Sequence, residues 1–364
     1  MSGGARHLDA LTGIRGLAAW LVVVYHTRKA LTEIWHPDVI GFFAKGYLAV
    51  DLFFMLSGFV IFYNYADRLH GGDRVEIRQF LWRRFARVWP LHGFMLAAYL
   101  AFVGTLFVTG RDTSHYPLAD LPLNLILAQN WGLTHHLSWN HPAWSISTEF
   151  AAYLAFPLVV MAVRWDRLAV PALFGLAAAL VTALHLTFLL SGYSELGKNI
   201  PQMGIWRCLF GFALGMVLCL LWQRLRHQPG IALAAGGTCA VLVGAGLGLS
   251  LPETLFVPAA FFAGLLALAT GKGAIIRFLS SRPLLYLGEI SYSTYLGHYL
   301  LWQVWKIAFV DETIQVSWLS FAGYLAAVFV ASVVLYRCVE KPAQRWLNTH
   351  APRWASRPAA VPAE

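Results

Sequence analysis

The chain alternates long apolar runs with short polar breaks rich in Lys and Arg, and that alternation sets its architecture. Ten runs approach the roughly 20 residues that an α-helix needs to cross a bilayer. They lie near 8–28, 46–66, 85–108, 144–164, 168–190, 203–223, 231–250, 254–271, 284–306 and 317–338. The pattern predicts an all-α integral membrane protein of about ten transmembrane helices. An even number of crossings returns both termini to one side. Most of the 27 Lys and Arg residues fall on that side, so the positive-inside bias puts both termini in the cytoplasm. The first run lacks a small-residue cleavage site and more runs follow it, so it reads as a retained helix and not a signal peptide. Within the long outer break 109–143, the stretch LPLNLILAQNWGL is expected to lie in the interface or to re-enter. Residues 1–346 form one transmembrane domain, and 347–364, rich in Pro and Arg, read as a disordered cytoplasmic tail.

Composition supports the membrane assignment: 58% of residues are hydrophobic and 12% charged, against about 25% charged in soluble domains. The net charge of +9 follows from topology, and no nucleic-acid partner is needed to explain it. The four cysteines, Cys208, Cys219, Cys239 and Cys338, sit in apolar stretches without CxxC spacing. They read as small buried hydrophobes, and neither a disulfide framework nor a metal site is expected.

The ionisable residues inside the runs carry the chemistry, because a charge at membrane depth costs several kcal/mol and is a functional hypothesis by default. Segment 1 carries Arg15 and His26, segment 2 Asp51, segment 4 Glu149, segment 6 Arg207, and segment 9 Glu289 and His298. Arg15 and His26 are eleven residues apart, so they share a helix face roughly 16 Å apart along the axis. Segments 1, 2, 4, 6 and 9 are expected to line a polar cavity, and segments 7, 8 and 10 to face lipid. Helix direction puts Arg15 and Glu289 in the cytoplasmic half and gathers His26, Asp51, Glu149, Arg207 and His298 near the outer side. A carboxylate beside an imidazole makes a general base able to deprotonate a hydroxyl. At the start of segment 3, FLWRRFARVWP places Arg84 and Arg87 at i, i+3, a spacing that suits phosphates.

These residues are also where the sequence resembles the membrane-bound acyltransferase 3 family, bacterial integral-membrane O-acyltransferases that modify surface glycans. LDALTGIRGLAAWLVVVYHT, YLAVDLFFMLSGFVIF, FLWRRFARVWP and NHPAWSISTEFAAYLAFP are similar to the family's successive motifs. WRCLFGFALG, SSRPLLYLGEISYSTYLGHYLLW and VEKPAQRW follow in the family's order, so the resemblance covers about residues 8–346. Thr148 and Phe150 flank Glu149 where the family commonly has a second acidic residue. The hydrolase-like domain fused to some members is not expected, leaving transfer to this chain alone or with a separate partner.

The resemblance implies a single-domain O-acyltransferase, most readily an O-acetyltransferase, in the bacterial inner membrane. It uses acetyl-CoA as cosubstrate with no bound cofactor. Arg84 and Arg87 would take the phosphates of coenzyme A, and Arg15 its arm or a phosphate. His26, oriented by Glu149 or Asp51, would serve as general base or transient acyl carrier. Trp144, Ser147, Tyr153, Arg207 and His298 would contact the acceptor, with Tyr292 and Trp139 completing an aromatic mouth. The implied acceptor is an exopolysaccharide or other surface glycan, in the form of a lipid-linked oligosaccharide, with other polysaccharide-assembly proteins as further partners. A glycan or lipid-linked sugar transporter suits the same polar interior, although the chain shows no internal repeat. A scaffold subunit of an export machine is the third reading.

Overall fold

The computed structural model describes residues 8–310 and 315–355, and these form helices and turns with no strand among them. Among the described residues, nine helical stretches are long and apolar enough to cross a membrane. Segment nine is the exception. It breaks at Ile290 into α12 (Arg282–Glu289) and α13 (Ser291–Phe309). A helix of this length reaches roughly 28 Å at 1.5 Å per residue, enough to cross. The polar face that lowers its hydropathy carries Ser291, Ser293, Thr294 and His298, all buried. Nine plus this one agree with the architecture read from the sequence.

The remaining labels follow chain order: α1 is Asp9–Thr27, α2 Pro37–Ala44, α3 Ala49–Leu69, α4 Arg74–Val108 and α5 Leu121–Leu125. They continue with α6 Ala143–Ala162, α7 Val170–Leu190, α8 Ile200–Leu225, α9 Ile231–Gly248, α10 Glu253–Thr270 and α11 Ala274–Leu279. Last come α14 Trp318–Val334, a π-helical segment Leu335–Glu340, and α15 Lys341–Thr349.

Two seams allow backbones to meet. Along α3 and α8, a Cβ added to Gly58 would collide with the Phe212 carbonyl, and one added to Gly215 with that of Met55. Small residues permit such close helix approach in membranes. At the second seam, a Cβ on Gly16 of α1 would lie 2.8 Å from the Gly288 amide nitrogen of α12. Arg15 is therefore carried on a helix anchored at its neighbour.

Several boundaries and faces depart from expectation. Helix α4 begins at Arg74, so Arg84 and Arg87 sit inside a 35-residue helix and not at its entry. The last helix runs on through the π segment to Thr349. Residues 353–355 make a further turn, with Trp354 edge-on to Trp82, and 356–364 of the expected tail lie outside the described residues. Helix α9 buries only Ala235 and Gly246, in keeping with a lipid-facing position. Helix α10 does not face lipid as expected. Its Val257, Leu265 and Leu266 are buried, and at its start Glu253 binds Lys45 at 2.6 Å and the Tyr47 hydroxyl at 2.5 Å.

The loop 109–143 folds back into the protein. Leu127, Ala128, Asn130 and Trp139 are at most 2% exposed. Irregular backbone at membrane depth survives only where protein satisfies it, and here side chains do so. Ser147 Oγ accepts the Asn130 amide at 3.1 Å and donates to the Leu127 carbonyl at 2.8 Å. His92 Nε2 donates to the Asn124 carbonyl at 2.8 Å, and Asn140 Nδ2 to that of Leu296 at 3.0 Å.

Candidate active site

Two cavities enter the bundle from opposite ends and share Tyr295 in their walls. The first, of 390 Å³, is built on the C-terminal end of α1 and contains His26, with Trp144, Arg207, His141 and Tyr299 around it. The second, of 210 Å³, contains Arg15, Arg84, Arg87, Glu149, Tyr153 and Tyr292. Between them, the Tyr295 hydroxyl and Ser145 Oγ are hydrogen-bonded at 2.7 Å, and Tyr295 also donates to the Pro142 carbonyl at 3.0 Å.

In the histidine cavity, the two imidazoles face each other. His298 Nε2 lies 3.1 Å from His26 Nδ1. Each ring also points Nδ1 at the carbonyl one helical turn back: His26 at Val22, 3.0 Å, and His298 at Thr294, 3.1 Å. A carbonyl only accepts, so both Nδ1 atoms carry the proton. His298 Nε2 then has a bare lone pair and accepts from His26 Nδ1–H. His26 Nε2 is left with its own lone pair, on a residue that lines the cavity. The Val22 carbonyl fixes this tautomer, and the second histidine accepts from the same Nδ1–H.

Neither predicted carboxylate touches His26. Asp51 is held by Arg207 in a bidentate pair, Nε to Oδ1 at 2.6 Å and Nη2 to Oδ2 at 2.5 Å. Arg207 also donates to the carbonyls of Tyr47 and Leu196, and its guanidinium lies over the Trp144 ring at 5.4 Å. Burial explains the pairing: an arginine 1% exposed must be matched in charge and hydrogen bonds. Glu149 lines the arginine cavity instead and accepts from Tyr153 at 2.5 Å, while Tyr153 also bonds Ser57 at 3.3 Å. Tyr153 and Tyr292 therefore belong to the arginine cavity and not to the mouth around His26. Ser147 is fully buried against the re-entrant loop, its hydroxyl occupied as described above. Trp139 is also fully buried, donating to the Pro117 carbonyl at 2.9 Å.

The arginine cavity is supported from behind by a residue that sequence reasoning missed. Glu340, 1% exposed, pairs with Arg87 and accepts from Ser293 Oγ at 2.7 Å. It sits at the end of the π segment, whose extra residue per turn rotates the following side chains. The one signal available was the Glu-Lys-Pro string at 340–342. Arg84 donates to the Tyr65 hydroxyl at 3.1 Å, while its buried Nε has no partner. Arg15 makes no hydrogen bond or ion pair among the described residues. Two arginines that line one pocket thus have donors without a partner among the described residues.

A family comparison decides the class of this arrangement: residues 8–337 match the profile described as an acyltransferase domain, Acyl_transf_3. The chain belongs to the acyltransferase 3 family. Acyltransferase MdmB of Streptomyces mycarofaciens is 29% identical over 95% of this chain and 94% of its own length. O-acetyltransferase OatA of Staphylococcus aureus is 23% identical over 93% of this chain, which spans 58% of that relative. Protein 2 in picA locus of Rhizobium radiobacter is 40% identical over 30% of this chain and 52% of its own length. No solved structure matches. The family and these relatives support O-acyl transfer by a multi-pass membrane protein.

Proposed function

We propose that this acyltransferase takes an acetyl or other short acyl group from coenzyme A in the arginine cavity. It passes the group to a hydroxyl of a surface glycan, lipid-linked in the simplest case, in the histidine cavity. The observation that carries this reading is the shared Tyr295 wall between a pocket with spare guanidinium donors and one holding a bare imidazole lone pair. With both termini cytoplasmic, the arginines face the cytosolic donor and His26 faces outward, in a bacterial inner membrane.

Phosphate oxygens would bind Arg84 and Arg15, since guanidinium forks suit them. The pantetheine arm would reach past the Ser145–Tyr295 bond toward His26. There the acceptor hydroxyl loses its proton to His26 Nε2 as its oxygen attacks the thioester carbonyl. The tetrahedral intermediate collapses, the C–S bond breaks, and the departing thiolate takes the proton from Nε2. An ester and free coenzyme A result. The Val22 carbonyl and His298 together keep the Nδ1 proton of His26 in place throughout, the service that a carboxylate performs in other bases.

His26→Ala should lower acyl transfer by at least a thousandfold while membrane insertion and thermal unfolding stay unchanged, measured with radiolabelled acetyl-CoA and purified protein. Wild-type protein with acetyl-CoA and no acceptor should show no label on the polypeptide, whereas a stable acyl-histidine would favour the carrier route. A glycan carrier would ignore acetyl-CoA altogether. A fully active His26→Ala variant ends the reading.

A further inference from the structure

The histidine cavity carries more positive charge than acyl transfer to a neutral sugar requires. Arg28 and Lys29, on the 3₁₀ turn that ends α1, and Lys306, on α13, all line it, and among the described residues no carboxylate does. Behind it, Arg207 is already matched by Asp51. A second cavity of 510 Å³ adjoins it, sharing His141, Tyr299 and Lys306 and adding Arg111. His141 and Tyr299 are stacked at 5.2 Å between the two. Burial pushes the His141 imidazole down to about 4, with His115 adding to the effect, so it is neutral and the charge here comes from Lys and Arg.

The bookkeeping of cations at this end of the molecule is selective. Lys45 is paired with Glu253 at 2.6 Å and Lys198 with Glu195 at 3.4 Å. Among the described residues, the cations left here without a carboxylate partner are Arg28, Lys29, Arg111 and Lys306, and each lines one of the two cavities. Arg28 is held in place by the Tyr25 carbonyl and by the Tyr25 ring 4.1 Å away. Among the described residues, the one acidic residue in these linings is Asp112. It lies in the adjoining cavity with Arg111, accepts from Ser114 at 2.8 and 2.9 Å, and is outnumbered by the cations. Non-cytoplasmic ends are normally poor in Lys and Arg, so topology does not account for cations gathered at one mouth. A cleft lined with one sign of charge concentrates ligands of the opposite sign.

We infer that the acceptor presents an anionic oxygen group beside its reacting hydroxyl, a carboxylate or a phosphate, and that Arg28, Lys29 and Lys306 form its subsite. The inference rests on the acyl-transfer reading for the meaning of the cavity, but it is tested by binding and not by turnover. The two therefore fail separately. The experiment titrates purified wild-type protein with methyl glucoside, methyl glucuronide and glucose 1-phosphate, following the fluorescence of the lining residues Trp144 and Trp302.

At low salt, at least one charged sugar should bind tenfold or more tighter than methyl glucoside, and the better of the two identifies the group. Lys29→Ala combined with Lys306→Ala should shrink that advantage to threefold or less and leave acetyl-CoA binding unchanged. Lys29→Arg combined with Lys306→Arg should retain it. The inference is overturned if the charged sugars gain nothing over methyl glucoside, the case of no binding included. It is equally overturned if their advantage survives in the double alanine variant.

Discussion

The two cavities share a wall and balance their charges in opposite ways. In the arginine cavity, Glu340 neutralises Arg87 from behind and Glu149 lies in the lining beside Arg15 and Arg84. In the histidine cavity, Asp51 neutralises only Arg207, and among the described residues the cations at the mouth have no carboxylate partner. The difference follows depth. A guanidinium buried in the bundle without a partner would cost several kcal/mol. Arg87 and Arg207 each have a carboxylate, whereas Arg15, which lines a cavity, has none among the described residues. A cation at an open mouth keeps its water and needs none. The buried pairs therefore set the shape of the site, and the unpaired cations are left to recognise ligands.

The largest expected effect comes from breaking a buried pair. Asp51→Ala leaves Arg207 uncompensated and should destabilise the protein by about 3–5 kcal/mol, seen as a lower unfolding temperature in detergent. Glu340→Ala should behave alike at the other end, because Arg87 and Ser293 both lose their acceptor. Lys29→Ala should leave stability unchanged, since its ammonium has no ion-pair partner to lose. Equal stability losses in all three would erase the contrast.

Next in size is a separation of substrates. Arg84→Ala removes a guanidinium with a spare donor, and a hydrogen bond to a charged group is worth about 1.5–3 kcal/mol. The KM for acetyl-CoA should rise at least tenfold, with the KM for the acceptor unchanged. The reverse pattern in steady-state kinetics would assign the arginine cavity to the acceptor. A smaller loss is expected for His298→Phe. His26 Nδ1–H still has the Val22 carbonyl 3.0 Å away, so its tautomer survives. The turnover rate should fall about tenfold, or about 1.4 kcal/mol in the barrier, with both KM values held.

The sequence made legible which helices carry charge, because the residues are read directly along each run, but not every depth: Glu149 was expected near the outer side and lines the arginine cavity. Arg15 and His26 do fall in different cavities along one helix, as an eleven-residue spacing dictates. Pairing was not legible, because it depends on how each helix is rotated against its neighbours. Asp51 and Glu149 were both expected beside His26, but α3 turns Asp51 to Arg207 and α6 turns Glu149 to Tyr153. Glu340 was hidden for another reason. A helix ending near 338 puts it just past the last span, and the π segment brings it into the core. Ser147 was expected as an acceptor contact because its stretch resembles a family motif. Its polarity serves the backbone of a re-entrant loop, which hydropathy alone does not distinguish from a surface loop.

The smallest effect tests the wall itself. Tyr295→Phe deletes the hydroxyl that bonds Ser145 and Pro142 but keeps the ring between the cavities. The loss of such hydrogen bonds is worth about 0.5–1.5 kcal/mol each, so stability should drop slightly and transfer should change only a few-fold. Tyr295→Ala removes the ring as well and joins the two cavities. If the wall separates donor from water until an acceptor is seated, this variant should hydrolyse acetyl-CoA without acceptor at least several-fold faster than Tyr295→Phe. The increase should vanish when His26→Ala is added, because water would then lack its base. Hydrolysis that is unchanged in Tyr295→Ala would show that the donor reaches His26 by a route other than past this tyrosine.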